Sequence, residues 1–392
     1  MQTSELEQNR HAILPQPNHD ELARQQFVRS FKEHLVAEVH PGNRLAYEHR
    51  VKPAFVKQHG REPDDRFEIR DVMTRDPHYR MFSALLRTSQ EMMWSASQHP
   101  VQRELQALVE KAKSTPGAGG SLKLDPTLEI PRYHRAVDIH CQPGGYHTEV
   151  TADDVAPGAI YDRAVFIYAM GQMGPDNADM GGSTLAWIKA NYPNLNPERI
   201  LDMGCAVGHS TVPYAQGWPD AEIHAIDVAA PMLRYAHARA ETLGAKIHFS
   251  QQNAEQTDFA DGSFDLIVSH ILLHETSEKA IRRSIAECHR LLRPGGLMVH
   301  AETPPYKSLE AFDAFMLDWD TRNNNEPYWG RAHDIDYVEL SSRAGFDPQQ
   351  VFEVMAPSAY QIAQARRSKV FQGGDFGGGG LWFLYGAEKQ ES

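Results

Sequence analysis

The sequence predicts an α/β protein, a doubly wound and mostly parallel sheet of seven strands behind an N-terminal, mostly helical region. Three observations predict it. From Arg199 onward short apolar segments alternate with amphipathic ones, the pattern of parallel strands joined by right-handed crossover helices. Before Lys113 the apolar residues recur at helical spacing, with no strong strand signal. Charge divides in the same way: residues 1–126 hold 18 Lys+Arg and 17 Asp+Glu, leaving 21 and 35 for the remainder, a net of −14. Residues 1–155 therefore read as a helical cover or association region. Residues 156–392 read as the sheet domain, with an insertion at about 303–345.

Taken in order, the first 20 or so residues read as a loose arm broken by Pro15 and Pro17. Asp20–Val39, Asp76–Gln98 and Val101–Lys113 carry helical periodicity, and Thr115–Ser121 is a turn. Arg132–Thr151 leaves room for a short strand at Ala136–Ile139, then a turn at Pro143-Gly-Gly145. Helices follow at Tyr161–Met173 and Ser183–Ala190. The seven strands are Ile200–Met203, Glu222–Asp227, Lys246–Ser250, Phe264–Ser269, Leu297–Ala301, Gln350–Ala356 and Leu381–Ala387. Helices at Pro231–Thr242, Ser277–Leu292, Asp334–Ala344 and Tyr360–Lys369 lie between them, the first ended by Gly244. Gly373–Gly380 is a flexible connection.

Composition narrows the class. A net charge of −13 disfavours coating a phosphate backbone, so no nucleic-acid partner is expected. Three cysteines, Cys141, Cys205 and Cys288, argue against a disulfide framework. Met1–Glu21 lacks the apolar core of a signal peptide, and no apolar run of about 18 residues exists. A cytoplasmic protein without a membrane span is expected. His134, His140, Cys141 and His147 match no ligand spacing, so no metal is expected. Arg366, Arg367 and Lys369 read as a solvated helix end.

The chemistry centres on Ile200-Leu-Asp-Met-Gly-Cys-Ala-Val-Gly-His-Ser210. Here a strand runs into a turn with glycines at 204 and 208, and a helix opens behind it. Such a turn lets a bulky ligand approach the backbone at the carboxyl end of the strand. Nineteen residues after Gly208, Asp227 ends the second strand, where a carboxylate accepts hydrogen bonds from both ribose hydroxyls. Gln251-Gln-Asn-Ala-Glu255 places an amide beside a base. The lysine and hydroxyl pair of a nucleotide-cleaving loop is missing. His270 and His274, in Ser269-His-Ile-Leu-Leu-His-Glu275, stand where substrate lies and read as general-base candidates; structural histidines are the alternative. Glu302 ends the fifth strand on the same side.

Residues 199–301 resemble class I S-adenosylmethionine-dependent methyltransferases, within them the broad group of ubiquinone/menaquinone-biosynthetic enzymes. The matching stretches are Leu201–Gly208, Ile226–Leu233, Asn253-Ala-Glu255, Ser263–Val268 and Leu291–Met298. The resemblance implies S-adenosyl-L-methionine as cofactor, S-adenosyl-L-homocysteine as product, and a small-molecule substrate. It assigns Asp202, Gly204, Cys205 and Gly208 to the methionine part and Asp227 with Val228 to the ribose. Met232, Asn253, Ala254 and Glu255 fall to the adenine, and Tyr161 to the helix that closes over the cofactor. Two positions depart from the family: Ala206 stands at the usual middle glycine, and Asn253 where Asp is common. Trp319, Tyr328 and Trp329 suit an apolar or aromatic substrate wall. Two alternatives stay open: a sulfonium-binding enzyme that transfers no methyl group, and a modifier of a protein or peptide. As an association surface, the helical front would make a homodimer.

Overall fold

The structure is a computed structural model and describes residues 7–115, 117–360 and 380–390. The expected helix at Tyr360–Lys369, with its basic trio, and the glycine-rich connection lie outside the described residues, save Tyr360 and Gly380.

Among the described residues eight strands form one sheet. They are β1 (Ser121–Lys123), β2 (Arg199–Met203), β3 (Glu222–Asp227), β4 (His248–Gln251), β5 (Phe264–His270), β6 (Leu292–Glu302), β7 (Val351–Pro357) and β8 (Leu381–Glu388). Their spatial order is β1-β4-β3-β2-β5-β6-β8-β7. Neighbours run parallel except around β8, which is antiparallel to both β6 and β7. The seven strands read from the sequence are all present. The eighth, β1, directly follows the expected turn and pairs only with β4, at the sheet edge. At three residues it carries no usable alternation. It also draws part of the N-terminal region into the sheet.

Both faces of the sheet are covered, which is why its strands read as unbroken apolar runs. Ile200, Leu266 and Val268 pack on one side, Leu201, Met203 and Ile267 on the other. Strand order reverses between β2 and β5, the place where open parallel sheets bind ligands. Met203 is in register with Ile226 and Ser269, so the ends of β2, β3 and β5 finish level there.

The N-terminal region is helical, as expected. Asn18 caps the His19–His34 helix: its side chain accepts from the Glu21 N–H, and Glu21 accepts from the Asn18 N–H. The two expected helices on either side of Pro100 are one, Pro77–Ser114. Proline lacks the N–H that Ala96 would receive, which normally ends a helix. Here Gln25 Nε2 donates to the Ala96 carbonyl at 3.1 Å, so the freed acceptor stays paired. In place of a strand at Ala136–Ile139 the chain makes a short helix, Arg132–Arg135, and a 3-10 turn, Ile139–Cys141. His140 and Cys141 have φ of 52° and 63°, which no strand accommodates.

The arm is not loose from residue 7 onward. Ile13 and Leu14 are buried, and the arm is tied to Asp162, which is fully buried on the Ala156–Tyr168 helix. The Asp162 carboxylate accepts from Gln8 at 2.8 Å, His11 at 2.9 Å, His209 at 2.8 Å and Tyr235 at 2.9 Å, with Arg239 3.4 Å away. Burial alone would raise its pKa; the His209 and Arg239 partners override that and hold it well below the carboxylate range. One residue thus joins the arm, the glycine turn after β2 and the Ala230–Thr242 helix.

Candidate functional site

The site begins where β2 ends. Gly204 has φ of 70°, and a Cβ there would stand 2.5 Å from Leu272 Cδ1, so only glycine fits. Its N–H and that of Cys205 donate to the Ile226 carbonyl at 2.8 and 3.0 Å, clamping the turn to β3. Ala206 adopts φ of 46°, the left-handed conformation its family's glycine would take at no cost. Its N–H donates to Asp227 Oδ2 at 3.0 Å, while Ala229 N–H donates to Oδ1 at 2.9 Å. Asp227 is thereby aimed into a cavity. Burial pushes its pKa up to about 6, although these backbone donors pull the other way.

That first cavity opens at the carboxyl ends of β2, β3 and β5. Of the expected cofactor residues, Tyr161, Gly204, Asp227, Val228, Met232, Asn253 and Ala254 line it, as does His270. Four others stand behind the wall. Asp202 is buried under the turn and accepts from Thr211 Oγ1 at 2.5 Å. Cys205 packs into the core beside the sheet. Gly208 turns the chain with φ of 75°. Glu255 accepts from Tyr133 and Arg283, each at 3.1 Å. The Asn253 amide oxygen is engaged by the Glu255 N–H at 2.9 Å.

A second cavity adjoins the first and shares His140, Tyr161, His270 and Ile271 with it. Its walls are apolar and sulfur-rich: Met93, Trp94, Tyr168, Met173, Met180 and Trp329. Met93 and Trp94 come from the Pro77–Ser114 helix, so the N-terminal region closes this space. Tyr161 and Tyr168, seven residues apart on one helix, both face it. Of the three aromatics expected as a substrate wall, Trp329 lines the cavity. Trp319 belongs to a separate core cluster and donates to Ser83, and Tyr328 packs edge-on to Tyr133.

The two histidines expected to act as bases differ. His270 Nε2 is hydrogen-bonded to the Tyr214 hydroxyl at 3.0 Å, and its Nδ1 stands 3.4 Å from Asp202. Both nitrogens are turned into the protein, and the ring serves as a wall. His274 Nδ1 pairs with Glu302 at 2.7 Å, and the Leu273 N–H fixes the other Glu302 oxygen at 2.6 Å. His274 Nε2 is buried with no hydrogen-bond partner among the described residues. Burial lowers its pKa, but the Glu302 carboxylate overrides this and raises it.

Sequence reasoning missed Tyr133, Tyr146 and Glu275 in the first cavity and Glu326 behind it. The density of histidine and tyrosine in 133–147 was the one available signal. Of the four residues weighed there as metal ligands, His134 and His147 lie ring to ring, and the Cys141 thiol faces Asn324 at 3.6 Å. Burial pushes that thiol up to about 11, which makes it a poor ligand. Only His140 turns to the junction of the cavities, between Glu326 at 2.5 Å and Glu275 at 3.0 Å.

Residues 200–296 match the model of the methyltransferase domain family. A demethylmenaquinone methyltransferase of Thermus thermophilus is 32% identical over 109 residues, 28% of this chain and 49% of the relative. A malonyl-[acyl-carrier protein] O-methyltransferase of Methylococcus capsulatus is 36% identical over 121 residues, 30% of this chain and 41% of the relative. An uncharacterised methyltransferase of Synechocystis sp. is 31% identical over 175 residues, 44% of this chain and 77% of the relative. The chain thus spans about half the length of the first two and most of the third.

Proposed function

The chain belongs to the class I S-adenosylmethionine-dependent methyltransferases, and from that premise we propose that it methylates an O, N or C nucleophile of a small, apolar or aromatic metabolite. Its cofactor is S-adenosyl-L-methionine, which supplies a methyl group on a sulfonium for in-line attack. The observation that carries the reading is the pair of joined cavities, one with a carboxylate at a strand end, the other apolar.

In this reading Asp227 receives the ribose hydroxyls, and Met232, Asn253 and Ala254 border the adenine. Gly204 lets the methionine part lie against the backbone, with Tyr161 and His270 at the passage between the cavities. Trp94, Tyr168 and Trp329 hold the substrate body and exclude water, which is most of what this chemistry asks of a protein. A nucleophile that must lose its proton does so at the junction, where His274 and its acidic neighbours stand. His270, with both nitrogens turned inward, keeps a wall role. No helix among the described residues is long and apolar enough to cross a membrane.

The test is calorimetry with S-adenosylhomocysteine, then a metabolite screen with a labelled methyl donor. Saturable binding and a product heavier by one methylene unit are expected. Trp329→Ala should raise the KM for that substrate severalfold and leave S-adenosylhomocysteine affinity unchanged. Binding of the cofactor with turnover of a substrate but no mass gain would favour the non-methylating alternative.

A further inference from the structure

We propose that His140, His274, Glu275 and Glu326 bind one divalent transition-metal ion at the junction of the two cavities. One potential ligand atom from each of the four lies within 4.8 Å of every other. Ligands about 2.1 Å from an ion stand about 3.4 Å apart when tetrahedral and about 4.2 Å apart when trans, so a small inward adjustment closes the set. The four come from three distant segments: the turn Ile139–Cys141, the turn Leu273–Glu275 after β5, and the insertion before Trp329.

The second observation is the state of their polar atoms. His274 Nε2, Glu275 Oε2 and Glu326 Oε2 are buried with no hydrogen-bond partner among the described residues, while Glu326 Oε1 stands 2.5 Å from His140 Nδ1. Glu326 is 1% exposed, as is His274. Buried polar atoms are almost always paired, and each left open calls for an explanation. Unpartnered buried atoms on three of the four clustered residues are explained together by a cation among them. His274 adds a further feature of metal sites. Its Nδ1 is fixed by Glu302, itself held by the Leu273 N–H, which presents Nε2 as the ligand.

The donor set chooses the ion. Two imidazoles and two carboxylates suit zinc, iron(II), cobalt(II) or manganese(II) rather than calcium or magnesium, which prefer all-oxygen sites. Two carboxylates also balance a dipositive charge. His140 and Glu275 border the first cavity, His140 and His274 the second. An ion between them reaches both ligands at once. A substrate hydroxyl bound to it would ionise more readily, its proton passing to the Glu275 oxygen that does not hold the ion. That role rests on the methyl-transfer reading; binding of the ion does not.

The experiment strips the full-length protein with a chelator and titrates it with cobalt(II), following visible absorption and heat. S-adenosylhomocysteine binding is measured on the same sample. One equivalent with visible d–d bands is expected. His274→Ala and Glu326→Gln should each weaken cobalt binding about 100-fold or more, and Glu302→Gln by about 10–100-fold. Absence of the bands and of heat at one equivalent in the wild type overturns the proposal. Binding that none of the three substitutions changes overturns it too. A variant that does not fold leaves the wild-type titration to decide. Cobalt refused while S-adenosylhomocysteine binds removes only the metal; the reverse result removes the methyl-transfer reading and keeps the metal.

Discussion

Asp162 and Glu326 are carboxylates at equal depth, 0% and 1% exposed, and they are treated in opposite ways. Asp162 accepts four hydrogen bonds and has an arginine beside it. Glu326 has one close partner, His140 Nδ1 at 2.5 Å from Oε1, and its Oε2 has none among the described residues. The ionisation follows. Partners hold Asp162 well below the usual range, whereas burial leaves Glu326 raised. A buried carboxylate with every lone pair used is a joint between elements. One with a lone pair left open beside other ligating groups can take a ligand.

The comparison fixes the sign and size of two substitutions. Asp162→Ala leaves His209 and Arg239 buried without their carboxylate, and should cost about 3–5 kcal/mol in chemical denaturation. It should also release the N-terminal arm to limited proteolysis. Because the native pKa of Asp162 is depressed, its contribution is complete above its unfolded pKa of about 3.9. It is lost as pH falls through the native value. Glu326→Gln in the metal-free protein should cost about 1–2 kcal/mol, since His140 keeps Glu275 as its second carboxylate partner. A Glu326→Gln loss as large as that of Asp162→Ala would make both sites joints and end the distinction.

How much of this was legible in the sequence depends on how far apart the partners lie. The strands were, because parallel strands buried on both faces leave contiguous apolar runs, and the turn at Gly204 and the acid at Asp227 fall at strand ends. β1 was not, since three residues at an edge mean nothing without β4. The unbroken helix through Pro100 depends on Gln25, 71 residues from the carbonyl it serves. The junction cluster draws on residues 140, 274–275 and 326. Spacing suited to a metal is a property of one segment, and these come from three. His274 could be singled out as reactive; that Glu302 orients it, and that Glu326 faces it, only the fold could tell.

Asp227 stands between the two extremes and tests the rule most finely. It is half-buried at the wall of the first cavity, with backbone donors on both oxygens but lone pairs still turned to the open side. Its pKa of about 6 follows from burial that these donors offset only in part. Ribose hydroxyls donate to the charged form, so S-adenosylhomocysteine must select the carboxylate. Below about pH 6 binding should therefore weaken, approaching tenfold per pH unit, and it should be flat above about pH 7. The ligand's own α-carboxyl group titrates below that window. Calorimetry at pH 5.0 and pH 7.5 should show close to a tenfold difference, or about 1.4 kcal/mol. In Asp227→Asn that difference should disappear while affinity at pH 7.5 falls. A wild-type affinity equal at both pH values would mean that the carboxylate is already satisfied by Ala206 and Ala229. Asp227 would then belong with Asp162, as a joint between the turn and β3, and the ribose would have to be held by something else.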